Sequence, residues 1–134
     1  MAATALAIAA VGAATAPLPA RAVAPPAAPV ATVVTEQYRF IPGDTTGTVP
    51  VAVPLRVQQG GRLFLANVDP SAPHTVTEVV GAGQTPRFDT GREVSFGEAV
   101  EVAGVASLPA GTYPFFCSLH TWLMQGELVV EPAS

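Results

Sequence analysis

The chain has 134 residues, of which 49% are hydrophobic and 12% charged. That is enough apolar material for one core, with too few charges for a chain disordered throughout. The formal net charge is −4, with no lysine and with six arginines spaced singly at 21, 39, 56, 62, 87 and 92, so no basic patch exists to neutralise a phosphate backbone and nucleic acid is not an expected partner.

Met1 to Ala16 is almost entirely Ala, Leu, Ile, Val, Gly and Thr, too short and alanine-rich for a membrane span. It resembles the apolar region of a secretory signal, followed by small-x-small sites at Ala14-Thr15-Ala16 and Ala20-Arg21-Ala22. No Lys or Arg precedes it, and a disordered Ala/Pro leader is the alternative. The expected organisation is a signal-like leader over 1–22, a Pro/Ala-rich linker over 23–30 and a folded domain over 31–134. Cleavage after Ala22 would remove one arginine and leave a charge of −5, five arginines against ten acids.

The folded part reads as short strands between Gly, Pro, Asn and Asp signals. Ala31–Phe40 carries the β-branched run Thr32, Val33, Val34, Thr35 and stops at the turn cluster Ile41-Pro42-Gly43-Asp44. Val49–Val57 holds Pro50 and Pro54 and suits only an edge strand. Gln58-Gln59-Gly60-Gly61 is a turn, and Arg62–Val68 a strand with Leu63 and Leu65 on one face. His74–Val80 is expected as a strand, Gly81–Gly97 as a long loop, and Glu98–Val102 as an alternating segment. Pro109-Ala110-Gly111 turns into the aromatic strand Thr112–Cys117. Gly126–Glu131 closes the chain, Leu128 and Val130 inward and Glu127 and Glu131 outward. No helical period of ten or more residues follows Pro29. The fold class is all-β, a Greek-key β-sandwich of about seven to eight strands.

Soft metal donors are few. After the initiator the chain has two histidines, one cysteine and one methionine. Cys117, His120 and Met124 fall within eight positions, and His74 lies 43 residues before the cysteine (117 − 74). A single cysteine forms no internal disulfide, and an exported free thiol invites oxidation unless buried or ligated. Two imidazoles, a thiolate and a weak thioether are the donor set of a blue-copper electron-transfer site. A strand ending at Cys117 and a tight loop back to Gly126 can present His120 and Met124 to one point, with His74 supplied from a neighbouring strand.

The segment Tyr113-Pro114-Phe115-Phe116-Cys117-Ser118-Leu119-His120-Thr121-Trp122-Leu123-Met124-Gln125-Gly126 resembles the copper-binding loop of the cupredoxins, which include plastocyanins, azurins and amicyanins. Asn67-Val68-Asp69-Pro70-Ser71-Ala72-Pro73-His74-Thr75-Val76 is similar to the family segment that supplies the first histidine. Phe88-Asp89-Thr90-Gly91 resembles a loop of bacterial and archaeal members. The resemblance spans about residues 31–132. It implies one type 1 copper ion with His74, Cys117 and His120 as strong equatorial ligands and Met124 as the weak axial one. Gln125 is the fallback axial donor.

The chain departs from the family in places. Three residues separate His120 from Met124, longer than the amicyanin-like gap and shorter than that of plastocyanin. Azurin has this gap but spaces its cysteine and histidine more widely, and its disulfide cannot form here. The family often has Asn after the first histidine. Here Thr75 stands there, and would join the two ligand segments through its backbone or hydroxyl.

Cys117 and His120 as nucleophile and base lack a clearly placed Asp or Asn to orient the histidine. Structural zinc on Cys-His-His is the alternative metal, and the methionine and the β-sandwich pattern favour copper. A dinuclear copper centre needs two cysteines. Trp122 either packs on the loop or belongs to an apolar docking surface around His120. The expectation is a monomeric, extracytoplasmic (periplasmic or secreted) electron carrier, not an enzyme and without a small-molecule substrate, whose redox partner proteins dock near His120. A membrane tether would arise only from an uncleaved leader. The alternatives are copper sequestration or delivery, or an accessory domain of a larger oxidase or reductase.

Overall fold

The computed structural model of the chain describes residues 30–43 and 53–134. The expected leader, residues 23–29 of the expected linker, and the first part of the Val49–Val57 expectation, with Pro50, lie outside the described residues.

Alternation sets the strand faces. In β4 (Arg62–Asn67), Leu63, Leu65 and Asn67 are buried while Arg62 stays exposed. β1 (Val30–Glu36) runs parallel to β4, pairing Val30 with Arg62 through Thr35 with Asn67. β6 (Ala99–Glu101) closes on the other side, where Arg62 grips Glu101 through Nε at 2.9 Å and Nη2 at 2.5 Å. β2 (Arg39–Pro42) adds the outer strand, so one sheet has the order β2-β1-β4-β6.

The second sheet has the order β3-β8-β7-β5, from β3 (Leu55–Gln58), β8 (Gln125–Glu131), β7 (Gly111–Phe116) and β5 (Thr77–Glu78). β3 lies at its edge, as Pro54 beside it requires. Leu128 and Val130 of β8 point inward as the alternation predicts, against Leu55 and Val57 of β3 and Phe115 of β7. These eight strands, in two antiparallel-rich sheets enclosing one core, make the all-β sandwich expected from the sequence. Among the described residues the sole helix is a 3₁₀ turn at Val105–Ser107, and none is long and apolar enough to cross a membrane.

Two expectations change, and the expected long loop gains detail. The Ala31–Phe40 run is not one strand. It folds back at Gln37 and Tyr38, whose φ values are +48° and +58°, so that Glu36 pairs with Arg39. Two left-handed residues form the tight hairpin turn without the Gly or Asn that usually marks it. The His74–Val80 run pairs as a strand only at Thr77–Glu78. Its two ends have different partners: His74 exchanges backbone hydrogen bonds with Val94 at 3.1 and 2.9 Å, whereas Thr77 and Glu78 join β7. The Gly81–Gly97 loop is packed down, with Phe88 and Val94 fully buried and Asp89 bridged to Thr77 and Ala103.

Candidate metal centre

Cys117 follows β7, and the chain then turns tightly to reach β8. His120 N–H donates to the Cys117 carbonyl at 3.2 Å, and Leu123 and Met124 N–H both donate to the His120 carbonyl at 2.9 Å. Cys117 N–H closes the loop on the Met124 carbonyl at 3.0 Å. Gly126 makes this closure possible. A Cβ there would lie 2.4 Å from Cζ of Phe115, its cross-strand partner, so only glycine lets the β7–β8 ladder start beside the loop.

The loop brings Cys117 and His120 to one place, where His74 meets them from the segment bridged to Val94. The ligating atoms of His74, Cys117 and His120 all lie within 4.8 Å of one another. Cys117 Sγ is 3.5 Å from His120 Nδ1 and 3.9 Å from His74 Nδ1. Cys117 and His74 are wholly buried and His120 partly so. Met124 is buried, with its backbone clasped to that of Cys117. Gln125 is exposed, and its amide Nε2 donates to the Thr121 carbonyl at 3.1 Å.

The surrounding polar groups orient these donors. His74 Nε2 lies 3.0 Å from Asp69 Oδ2. Two hydrogen bonds from Ser71, then that from His74, hold the Asp69 carboxyl well below the usual carboxylate range. An ionised carboxylate only accepts, so Nε2 carries the proton and Nδ1 turns its lone pair toward Cys117. Burial, and then the neighbouring His74, lowers His120 below the ordinary histidine value, which favours the neutral ring that a metal needs.

Thr75 joins the two segments as its position after His74 suggests. Its hydroxyl accepts from Ser118 N–H at 2.8 Å, and its own N–H points at Cys117 Sγ at 3.4 Å. Asn67 ties the layer beneath. Its Nδ2 donates to the Ala72 and Val94 carbonyls, both at 2.9 Å, while its Oδ1 accepts from Thr35 Oγ1 at 3.0 Å and Asp69 N–H at 2.8 Å.

Sequence reasoning missed Asp69 and Asn67 as orienting groups and missed Tyr38 entirely. An Asp-Pro-Ser run, with serine two places on, is a signal for a carboxylate capped by its own turn. Nothing in the local sequence announces Tyr38, whose ring lies against both histidines.

A thiol flanked by two imidazoles, that of His74 held in one tautomer by Asp69, with a buried thioether on the same loop as the thiol, has the donor chemistry of a copper site. The chain has the cupredoxin fold, and His74, Cys117 and His120 form a candidate copper site. Solved structures of amicyanin share this fold. Amicyanin from Paracoccus versutus (Thiobacillus versutus) is 22% identical, with a TM-score of 0.54 over 81% of this chain and 85% of that one. An oxidised proline-to-alanine mutant of amicyanin is 25% identical, with a TM-score of 0.53 over 78% and 82% of the two chains. A Cu(I) form of a methionine-to-alanine mutant of amicyanin is 24% identical, with a TM-score of 0.54 over 81% and 86%. No family model and no curated protein matches the chain.

Proposed function

We propose that this protein is a type 1 blue-copper electron carrier, with His74, Cys117 and His120 as the strong ligands and Met124 as the weak axial one. The observation that carries this reading is the approach of both Nδ1 atoms to the buried Cys117 Sγ, at 3.5 and 3.9 Å. Met124 is preferred over Gln125 because it is buried on the loop closure while Gln125 is exposed. Copper held there supplies a one-electron Cu(II)/Cu(I) couple. The chain's own contribution is orientation and exclusion of water. Asp69 fixes the His74 tautomer, the Thr75 N–H is aimed at the sulfur, and burial keeps solvent from the thiol.

Burial of Cys117 argues against a nucleophilic thiol, and a carrier requires no substrate cavity at the site. The Cys117–Gln125 loop has no charged residue. Trp122 is 92% exposed and Leu123 73%, so the rim beside His120 is apolar and suited to a redox partner protein. The protein works as a monomer outside the cytoplasm, its folded domain, which opens with β1 at Val30, following a leader over 1–22 and the Pro/Ala-rich linker. It is tethered only if that leader is retained.

Voltammetry of the copper-loaded full chain separates a carrier from a store. A reversible one-electron wave, with fast self-exchange between oxidised and reduced protein, is the expected result. Tight Cu(I) binding without a reversible wave, and ready transfer of Cu(I) to a competing thiol chelator, would make the protein a store or delivery protein instead.

A further inference from the structure

We propose that Tyr38 is a positioning residue for His120: its ring, presented by a strained hairpin turn, braces the two histidine rings and holds the loop histidine in its donor orientation. The Tyr38 ring centroid lies 4.9 Å from that of His120 at an interplanar angle of 82°, and 5.9 Å from that of His74 at 89°. The two imidazoles are 5.1 Å apart and tilted by 57°. The Tyr38 ring therefore meets both imidazoles edge-to-face, a preferred geometry for aromatic pairs, while the imidazoles are tilted to each other.

The two histidines are held in different ways. His74 is buried and oriented by Asp69 through Nε2. His120 sits on the connecting loop, and no carboxylate among the described residues plays the part of Asp69 for it. The Tyr38 ring supplies the missing constraint.

The backbone makes the same point. Tyr38 and Gln37 both have left-handed φ, at +58° and +48°. Such a conformation is unfavourable for a residue that carries a Cβ. Gly or Asn would relax it. A tyrosine kept there, 38% exposed and so outside the core, is placed for its ring and not for the turn. The turn is also tied to the site. Tyr38 N–H points at Asp69 Oδ2 at 3.4 Å, the oxygen that faces His74 Nε2, and Val68 N–H donates to the Thr35 carbonyl at 3.2 Å.

The proposal rests on the copper reading of this site, and its test separates the two. Full-chain Tyr38→Phe keeps the ring, and Tyr38→Asn removes it while tolerating left-handed φ. Three quantities are compared: order of the His120 ring in the metal-free protein by NMR relaxation, thermal midpoint of the metal-free protein, and rate of copper release with its visible band. Tyr38→Phe should match the parent in ring order and release rate. Tyr38→Asn should loosen the His120 ring and release copper about threefold to tenfold faster, with a shifted band, the range expected from losing an aromatic pair. Its metal-free midpoint should not fall, because relief of backbone strain offsets the lost contact. Parent-like ring order and release in Tyr38→Asn would overturn the proposal, as would an equal loss in Tyr38→Phe, which would assign the effect to the hydroxyl. Failure of the parent itself to develop a cysteine-to-copper band would refute the copper reading. Ring order in the metal-free protein would then still decide whether Tyr38 holds His120.

Discussion

His74 Nε2 lies 3.0 Å from Asp69 Oδ2, with both side chains out of contact with water. The carboxylate is already satisfied on its other oxygen by Ser71 N–H at 2.9 Å and Ser71 Oγ at 2.5 Å, so it stays ionised and fixes which imidazole nitrogen is free. Asp69→Asn removes the charge and leaves the shape nearly intact. Metal affinity should fall about 10- to 100-fold, the usual consequence of losing a carboxylate behind a ligating histidine. Competition titration with a chelator measures this, and unchanged affinity would show that Asp69 is only structural.

Thr75→Val keeps the backbone N–H that faces Cys117 Sγ and deletes the hydroxyl that accepts from Ser118 N–H at 2.8 Å. That hydroxyl also pairs with Ser118 Oγ at 3.0 Å, so the expected cost is about 1–3 kcal/mol of stability for two lost hydrogen bonds. Hydrogen exchange at the Ser118 amide should quicken in the metal-free variant. Continued protection of that amide would mean that the loop closes through its own Cys117–Met124 hydrogen bond alone.

Gly126→Ala tests the close approach at the loop exit. The new methyl would meet the Phe115 ring, which is fully buried and cannot swing aside. Overpacking of this kind should destabilise the metal-free protein by about 1–3 kcal/mol in urea denaturation.

Glu78 carries an acid-sensitive part of the stability. It is 2% exposed and accepts from Arg87 N–H at 2.6 Å and Nε at 2.9 Å, with Arg87 Nη2 on the same carboxylate. Those bonds, the side-chain one first, lower its pKa in the folded chain. The unfolded chain therefore binds this proton more readily. The stabilisation is complete above the ordinary Glu value of 4.5 and is lost as pH falls through the lower folded value. Glu78→Gln should flatten the acid limb in metal-free protein without abolishing it, since Asp69, Glu98 and Glu101 are lowered too. Denaturation midpoints at neutral pH and on the acid limb measure the slope.

The donors were legible because chemistry, spacing and family resemblance coincide in Cys117, His120 and Met124, and the strands were legible where alternation is clean, as in Gln125–Glu131. The hairpin at Gln37–Tyr38 was not, because left-handed φ was adopted without Gly or Asn. The break in His74–Val80 was hidden because both halves are β-branched, and only tertiary pairing gives the ends different partners. Asp69, Asn67 and Tyr38 act through contacts made across elements, such as the 3.0 Å bond from Thr35 to Asn67, which no local pattern records.

The central claim is that Cys117 binds copper as a thiolate between His74 and His120. The visible absorption of the purified full chain with stoichiometric Cu(II), beside Cys117→Ser under the same conditions, tests it most directly. An intense sulfur-to-copper charge-transfer band in the parent, absent from Cys117→Ser, is the predicted result. A parent spectrum with only weak ligand-field absorption, or a band that survives loss of the sulfur, would contradict it.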